Sequence, residues 1–503
     1  MASLNPGVRQ TLAALAMTLI ANLAQSAEVV TGYWSDVSEN EPVIEASLSY
    51  KASHDPSESR MLKFNLAQLR DALSRSDAIN IMLPDPYGGA VEFALRPSSV
   101  MPKKLAARYP EIRAFEGVAL HDAATTIRLE FSSKGLTAQV LGAGNRWLID
   151  PVKGLSPEFA RSYKYSKSFH TKDEAFCELD SVGVFGGGSA PNDQFKGTTR
   201  RARSTGESIK TYRLAVATTG EYGVYHGGTT ASALEAVVAT INRVDGIFAS
   251  ELAIRFQLVD DNDAVVFADP ATDPFTGNDD AGTLIDESQT QIDLLIGTEN
   301  YDVGHTLSTG AGGLAGLGVV CREGGKAEGV TGSSRPEGDF FDVDYVAHEL
   351  GHQFAADHTW NGSNGGCGPQ QRGPDSAYEP GSGSSIMSYA GLCGADNIAS
   401  AVDALFHHQS FDQITEYTTE GIGSVCGSEA VSGNTAPQVD AGSDYVVPKQ
   451  TPLVVTGSAT DQEQGSLLYS WEQRDLGPQA ALTDPDDGRF ALFRMLDSSS
   501  SPE

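Results

Sequence analysis

His348 and His352 stand four residues apart with Glu349 beside the first, and His358 follows six residues after the second. Positions i and i+4 share one face of a helix, so both rings can reach a single ion. Zinc takes imidazole nitrogen at roughly 2.0–2.1 Å, and a zinc site that does chemistry has three protein ligands and a fourth place kept for water. A purely structural zinc site closes that fourth place with protein instead. His358 completes the set of three if the helix ends after His352 and the chain turns back. Glu349 is then next to the water. Zinc lowers the pKa of that water toward about 7, so a carboxylate can take its proton and pass it to the leaving nitrogen of a peptide bond.

The elements that position these residues are read from periodicity. Tyr212, Leu214 and Val216 alternate as a strand, Leu234, Val237, Val238, Ile241 and Phe248 follow helical spacing, and Ile254, Phe256 and Leu258 alternate again. Tyr301, Val303, His305 and Leu307 suggest a further strand before the zinc helix. Ser410 and Gln413 have capping-box spacing and are expected to open a closing helix. Asp342 and Asp344 precede the zinc helix, where carboxylates favour its positive N-terminus; calcium binding is the other reading of this pair. His226, His305, His407 and His408 are expected to pack or to meet solvent rather than to bind metal.

From His348 to His358 the residues resemble the metzincin peptidases, whose pattern is H-E-x-x-H-x-x-G-x-x-H followed by a methionine turn. Ser385-Ile386-Met387-Ser388-Tyr389 is similar to that turn, which implies Met387 as an apolar floor under the zinc. Among metzincins the sequence is most similar to the bacterial reprolysin-like (adamalysin-like) peptidases, over roughly residues 205 to 430. Gly313 to Cys321 resembles their edge strand, which pairs with an extended substrate. The resemblance implies an α/β (α+β) catalytic domain with a twisted mixed sheet and an active-site helix. It also implies bound Zn2+ and a protein or peptide substrate. Tyr389 matches a tyrosine that some metzincins use as an extra zinc ligand or oxyanion stabiliser; a core tyrosine is the alternative. The family's glycine falls at Ala355, where a left-handed conformation costs alanine roughly 1–2 kcal/mol. The resemblance also implies disulfides Cys321–Cys426 and Cys367–Cys393, although four cysteines allow three pairings. Cys177 is then the spare, either a propeptide latch on the open zinc position or a thiol with no such task.

Composition bounds the rest. A chain of 503 residues exceeds one ordinary domain. Its net charge of −31 argues against phosphate backbones and anionic lipid as partners. Arg9, the apolar run Thr11 to Ala24 and the small residues Ala24-Gln25-Ser26-Ala27 read as a secretory signal, too short for a membrane span. No later stretch reads as a transmembrane segment, and oligomeric state is not readable.

The expected organisation is a signal peptide at 1–27, a β-rich propeptide at 28–203, a catalytic domain at 204–433 and a β module at 434–503. Alternation at Ala46, Leu48 and Tyr50 and over Thr126 to Phe131 supports the β-rich part. The Gly/Ser/Pro-rich stretch Gly186 to Asn192 and the basic Arg200-Arg201-Ala202-Arg203 suit a boundary open to processing. Alternation at Leu453 and Val455 and at Leu467, Tyr469 and Trp471 suggests an immunoglobulin-like (PKD-like) sandwich. Such a domain needs about 100 residues, so the module is incomplete. Together these readings give a secreted zinc metalloendopeptidase made as a precursor. The alternative is a catalytically inactive metzincin-fold adhesion or binding protein, and a pure binder has no use for Glu349.

Overall fold

The computed structural model describes residues 7–8, 29–37, 59–75, 78–165 and 204–503, apart from 311, 449, 464 and 497. The signal-like run Thr11 to Ala24, the strand expected at Ala46 to Tyr50, Cys177, Gly186 to Asn192 and Arg200 to Arg203 lie outside the described residues.

The N-terminal part is one ten-stranded sheet. Its strands are β1 (Val29–Val30), β2 (Trp34–Asp36), β3 (Ser59–Phe64), β4 (Ile79–Pro84), β5 (Ala90–Pro97), β6 (Arg113–Ala119), β7 (Thr126–Ser132), β8 (Gly135–Gly142), β9 (Asn145–Pro151) and β10 (Phe159–Lys164). They lie in the order β1-β4-β5-β6-β7-β8-β9-β10-β3-β2. Every pairing is antiparallel except β1 with β4. Helix α1 (Leu66–Ser74) starts where the Asn65 side chain accepts the Gln68 N–H. Ile127, Leu129 and Phe131 of β7 join Phe93, Trp147 and Leu69 in one core. The polar alternates Arg128 and Glu130 are buried as well, which an isolated sheet face could not explain.

The second part is mixed α/β. Its sheet is built from β11 (Ser208–Thr218), β12 (Ile254–Leu258), β13 (Val303–Ser308), β14 (Gly313–Ala315), β15 (Gly329–Gly332) and β16 (Ser428–Val431). The order is β12-β11-β13-β15-β14, with β16 antiparallel to the start of β11. The first four strands run parallel, and β14 closes the edge antiparallel to β15. Ala215 and Ala217 of β11 are as buried as Tyr212, Leu214 and Val216, because separate apolar clusters cover the two faces. Helix α2 (Thr230–Leu252) begins in a capping box of Thr229 with Ser232. It sets Leu234, Val238, Ile241 and Phe248 into the same cluster as Leu350 and Met387. Helices α3 (Ala281–Ile296), α4 (Ala347–Gln353) and α5 (His408–Thr419) complete the framework. Disulfides join Cys321 to Cys426 and Cys367 to Cys393. No described helix is long and apolar enough to cross a membrane.

Four expectations change. The edge strand is only Gly313–Ala315. Beyond it the chain turns, with Gly318 and Cys321 at positive φ, and the N–H groups of Gly318 and Val319 go to the His352 and Gln353 carbonyls. The segment therefore caps the end of α4 instead of extending the sheet. Helix α5 opens at His408, with the His407 ring accepting the Gln409 N–H, so Ser410 and Gln413 lie inside the helix. Asp342 does stand in the first turn of a helical stretch, but that stretch starts upstream of α4, and Asp344 lies beyond its first turn. They sit in the wider helical winding Phe340–Val346 that runs directly into α4. There Asp342 accepts from Thr240 and Arg243, and Asp344 accepts the Val402 N–H.

The fourth change concerns residues 434–503. Among the described ones there is a ladder of β17 (Gln438–Asp440) with β18 (Ser458–Thr460) and a short pairing of Trp471–Glu472 with Gly7–Val8, but no pair of packed sheets. Leu453 is exposed and Val455, Leu467, Tyr469 and Trp471 are only half-buried, so the alternating residues do not assemble a core of their own. Residues 477–482 instead form a strap over the second part. Arg372 donates to the Gly477 carbonyl (2.8 Å), Asn361 to Pro478 (3.0 Å), and Gln479 to the carbonyls of Gly362 (2.6 Å) and Cys367 (3.1 Å). Leu482 N–H closes it on Asp396 at 2.9 Å.

Candidate metal centre

Helix α4 carries His348 and His352 on one face and ends at once. Ala356 N–H reaches back to the Gly351 carbonyl (2.9 Å) and Ala355 N–H to His352 (2.8 Å), the double closure of a Schellman motif. The residue at its turning point is Ala355, with φ +74°. The motif returns the chain so that His358 faces the helix. Replacing Ala355 by glycine relieves a left-handed alanine worth about 1–2 kcal/mol, partly offset by up to about 1 kcal/mol of backbone entropy. We expect Ala355→Gly to stabilise the fold by about 0.5–1 kcal/mol. An unchanged or lower midpoint in denaturant would mean that no strain is stored there.

Three imidazoles converge through Nε2. His352 Nε2 lies 3.1 Å from that of His348 and 3.1 Å from that of His358. Tetrahedral ligands at zinc distances sit roughly 3.3 Å apart, so the spacing fits one ion. Each Nδ1 faces a carbonyl: Ile386 for His348 (2.7 Å), Ala356 for His352 (2.7 Å) and Gln371 for His358 (2.5 Å). A carbonyl only accepts, so each Nδ1 carries the proton and each Nε2 presents its lone pair to the centre. Burial lowers the pKa of His348 to about 4 and of His358 to about 3, and lowers His352 too, keeping the rings in the neutral ligand form.

Glu349 is 1% exposed on the same helix, and its Oε2 has no hydrogen-bond partner among the described residues. Burial raises its pKa to about 8. Its carboxylate packs against the α-carbon of Gly313 on β14, where any side chain would collide with Oε1. Met387 lies under the helix, its sulfur filling the space that a side chain at Gly351 would need. The Tyr389 ring sits 4.5 Å from that of His358 and 5.2 Å from Trp360, with which it stacks.

Sequence reasoning missed three contributors. Glu379 accepts from Thr359, next to His358, and from the N–H groups of Ser384 and Ser385, next to the methionine turn. One buried carboxylate thus ties the third histidine's segment to the floor. Trp360 backs Tyr389, and Gln371 supplies the carbonyl that orients His358. No spacing rule marks any of them, because each acts through a loop.

The remaining histidines divide by wiring. His305 bonds Gln353 (3.0 Å) and Thr331 (2.9 Å), and His226 faces the Pro336 carbonyl (3.1 Å). His407, His408 and Glu472 form a second buried cluster with metal-like spacing. There, however, His407 Nδ1 accepts the Gln409 N–H at 3.3 Å, which puts the proton on Nε2, 3.5 Å from Glu472. That is a donor facing a carboxylate, the reverse of the arrangement at His348, His352 and His358.

Residues 208–417 match a family model described as metallo-peptidase family M12B, reprolysin-like. Among solved structures, the crystal structure of metalloproteinase-II from Bacteroides fragilis matches at 10% identity, covering 69% of this chain and 94% of that one, with a TM-score of 0.36. No curated protein matches.

Proposed function

We propose, for a chain whose residues 208–417 belong to the reprolysin-like metallopeptidases of family M12B, a zinc-dependent endopeptidase that hydrolyses internal bonds of proteins. One observation carries the reading: three imidazole Nε2 atoms converge while every Nδ1 is held by a carbonyl, beside the buried Glu349 carboxylate, whose Oε2 has no partner among the described residues. His348, His352 and His358 are the zinc ligands. Bound there, zinc would supply Lewis acidity and a water of lowered pKa. Glu349 would act as the general base and acid, its carboxylate accepting a proton from the attacking water and returning it to the leaving nitrogen. Met387 supports the histidines from below, and Tyr389, whose ring packs 4.5 Å from that of His358, is the proposed oxyanion or extra zinc contact. The substrate lies extended along β14, the edge strand against which Glu349 packs.

The chain is exported as a precursor in this reading, with a signal peptide at 1–27, a propeptide at 28–203 and the catalytic domain at 204–433. Residues 434–503 keep the character of a partial β module only in the β17–β18 ladder. The two disulfides suit an oxidising compartment. Cys177 is the proposed latch on the zinc.

The test is hydrolysis of an unfolded casein by the zinc-loaded chain cut between residues 166 and 203, with products sequenced by mass spectrometry. We expect new termini throughout the substrate's interior. Fully zinc-loaded protein that leaves casein intact would end the endopeptidase reading.

A further inference from the structure

The polar residues of α2 are buried against the N-terminal sheet. Arg243 bonds Asp150 of β9 at 2.6 Å and Asp342 at 3.2 Å, with its side chain 2% exposed. Glu116 of β6 and Arg128 of β7 interlock with Asp245 and Arg255: Arg128 contacts Glu116 (2.6 Å) and Asp245 (3.1 Å), and Arg255 contacts the same two carboxylates (2.5 and 3.0 Å). Gly246 leaves room for the Arg128 side chain to lie across the helix. Arg146 of β9 and Gln139 of β8 both grip Asp339, at the foot of the helical winding that leads into His348.

The contact is apolar as well. Val100, Leu105, Ile112 and Ala114 belong to the same buried cluster as Phe248, Phe256 and Leu258, and Leu258 N–H donates to the Val100 carbonyl at 2.8 Å. The two parts share a core. Among the described residues, no hydrogen bond or ion pair joins residues 29–165 to His348, Glu349, His352 or His358.

We infer that the N-terminal sheet domain is a permanent subunit, docked behind the active-site helix, which stays bound after the chain is cut between residues 166 and 203. Apolar burial holds it, and the alternating charges fix its register; buried pairs of this kind add specificity more than affinity. The partner that fits this surface of α2 and Asp339 is therefore the chain's own residues 29–165. A propeptide that merely blocked the metal would make the opposite pattern, with contacts at the histidines and a bare α2.

The inference takes from the proposed function only the position of the cut, not the zinc chemistry. Its test therefore reads assembly rather than hydrolysis. A site-specific protease sequence is inserted between residues 166 and 203 of the full chain, cut in the purified protein, and the product is run on gel filtration. Both fragments are expected in one peak, with less than about a tenth free after dilution to about 10 nM. The peak is expected to persist at about 1 M salt, because buried pairs are screened little. Separate elution of the N-terminal fragment at physiological salt would overturn the inference. So would co-elution that disappears at high salt, which marks a surface-charge contact.

Discussion

Glu349→Gln is expected to lower casein hydrolysis by about 10²–10⁴-fold, the usual range for a lost general acid–base, with zinc content unchanged. The amide has the carboxylate's shape and keeps its place against Gly313, but it cannot take a proton. The proposed ligand set does not include position 349, and the imidazoles are oriented by the carbonyls of Ile386, Ala356 and Gln371. Metal analysis and rate measured on one sample separate the two roles. A variant with full zinc and undiminished turnover would remove Glu349 from the mechanism.

His358→Ala is expected to weaken zinc binding by roughly 10²–10³-fold. A four-ligand site holds zinc by about 10–16 kcal/mol, so each ligand accounts for roughly 2.5–4 kcal/mol. The change also removes the contact of His358 Nδ1 with the Gln371 carbonyl. Competition against a chelating dye measures the affinity directly. Should it stay at the wild-type value, the third ligand is not His358, and the return of the chain at Ala355 has another purpose.

Much of this site was legible in the residues. The i, i+4 histidines lie on one helix because spacing fixes the face, and Ala355 takes the left-handed turn because the chain must reverse within a few residues of His352. The strands at Tyr212 and Ile254 and the helix through Val238 followed their periodicity. What periodicity could not carry was any partner distant in sequence. Arg128 and Glu130 look like the solvent side of a strand, and Arg243 and Asp245 like the solvent side of a helix, until the two surfaces meet. Glu379 was invisible for the same reason, since its donors come from two loops. The capping-box spacing at Ser410 failed because the His407 side chain had already provided the cap three residues earlier. The edge strand was overextended because its glycines serve turns that end α4.

The strap at 477–482 changes where this enzyme can be trimmed. The family match stops at residue 417, yet Arg372, adjacent to the carbonyl that aims His358, completes its bonding on Gly477. Asn361, one link of the same loop, accepts the Ala480 N–H and donates to Pro478. A recombinant version shortened to the recognised catalytic segment would strip donors and acceptors from the wall beside the third histidine, and its metal would be held by an unbuckled loop.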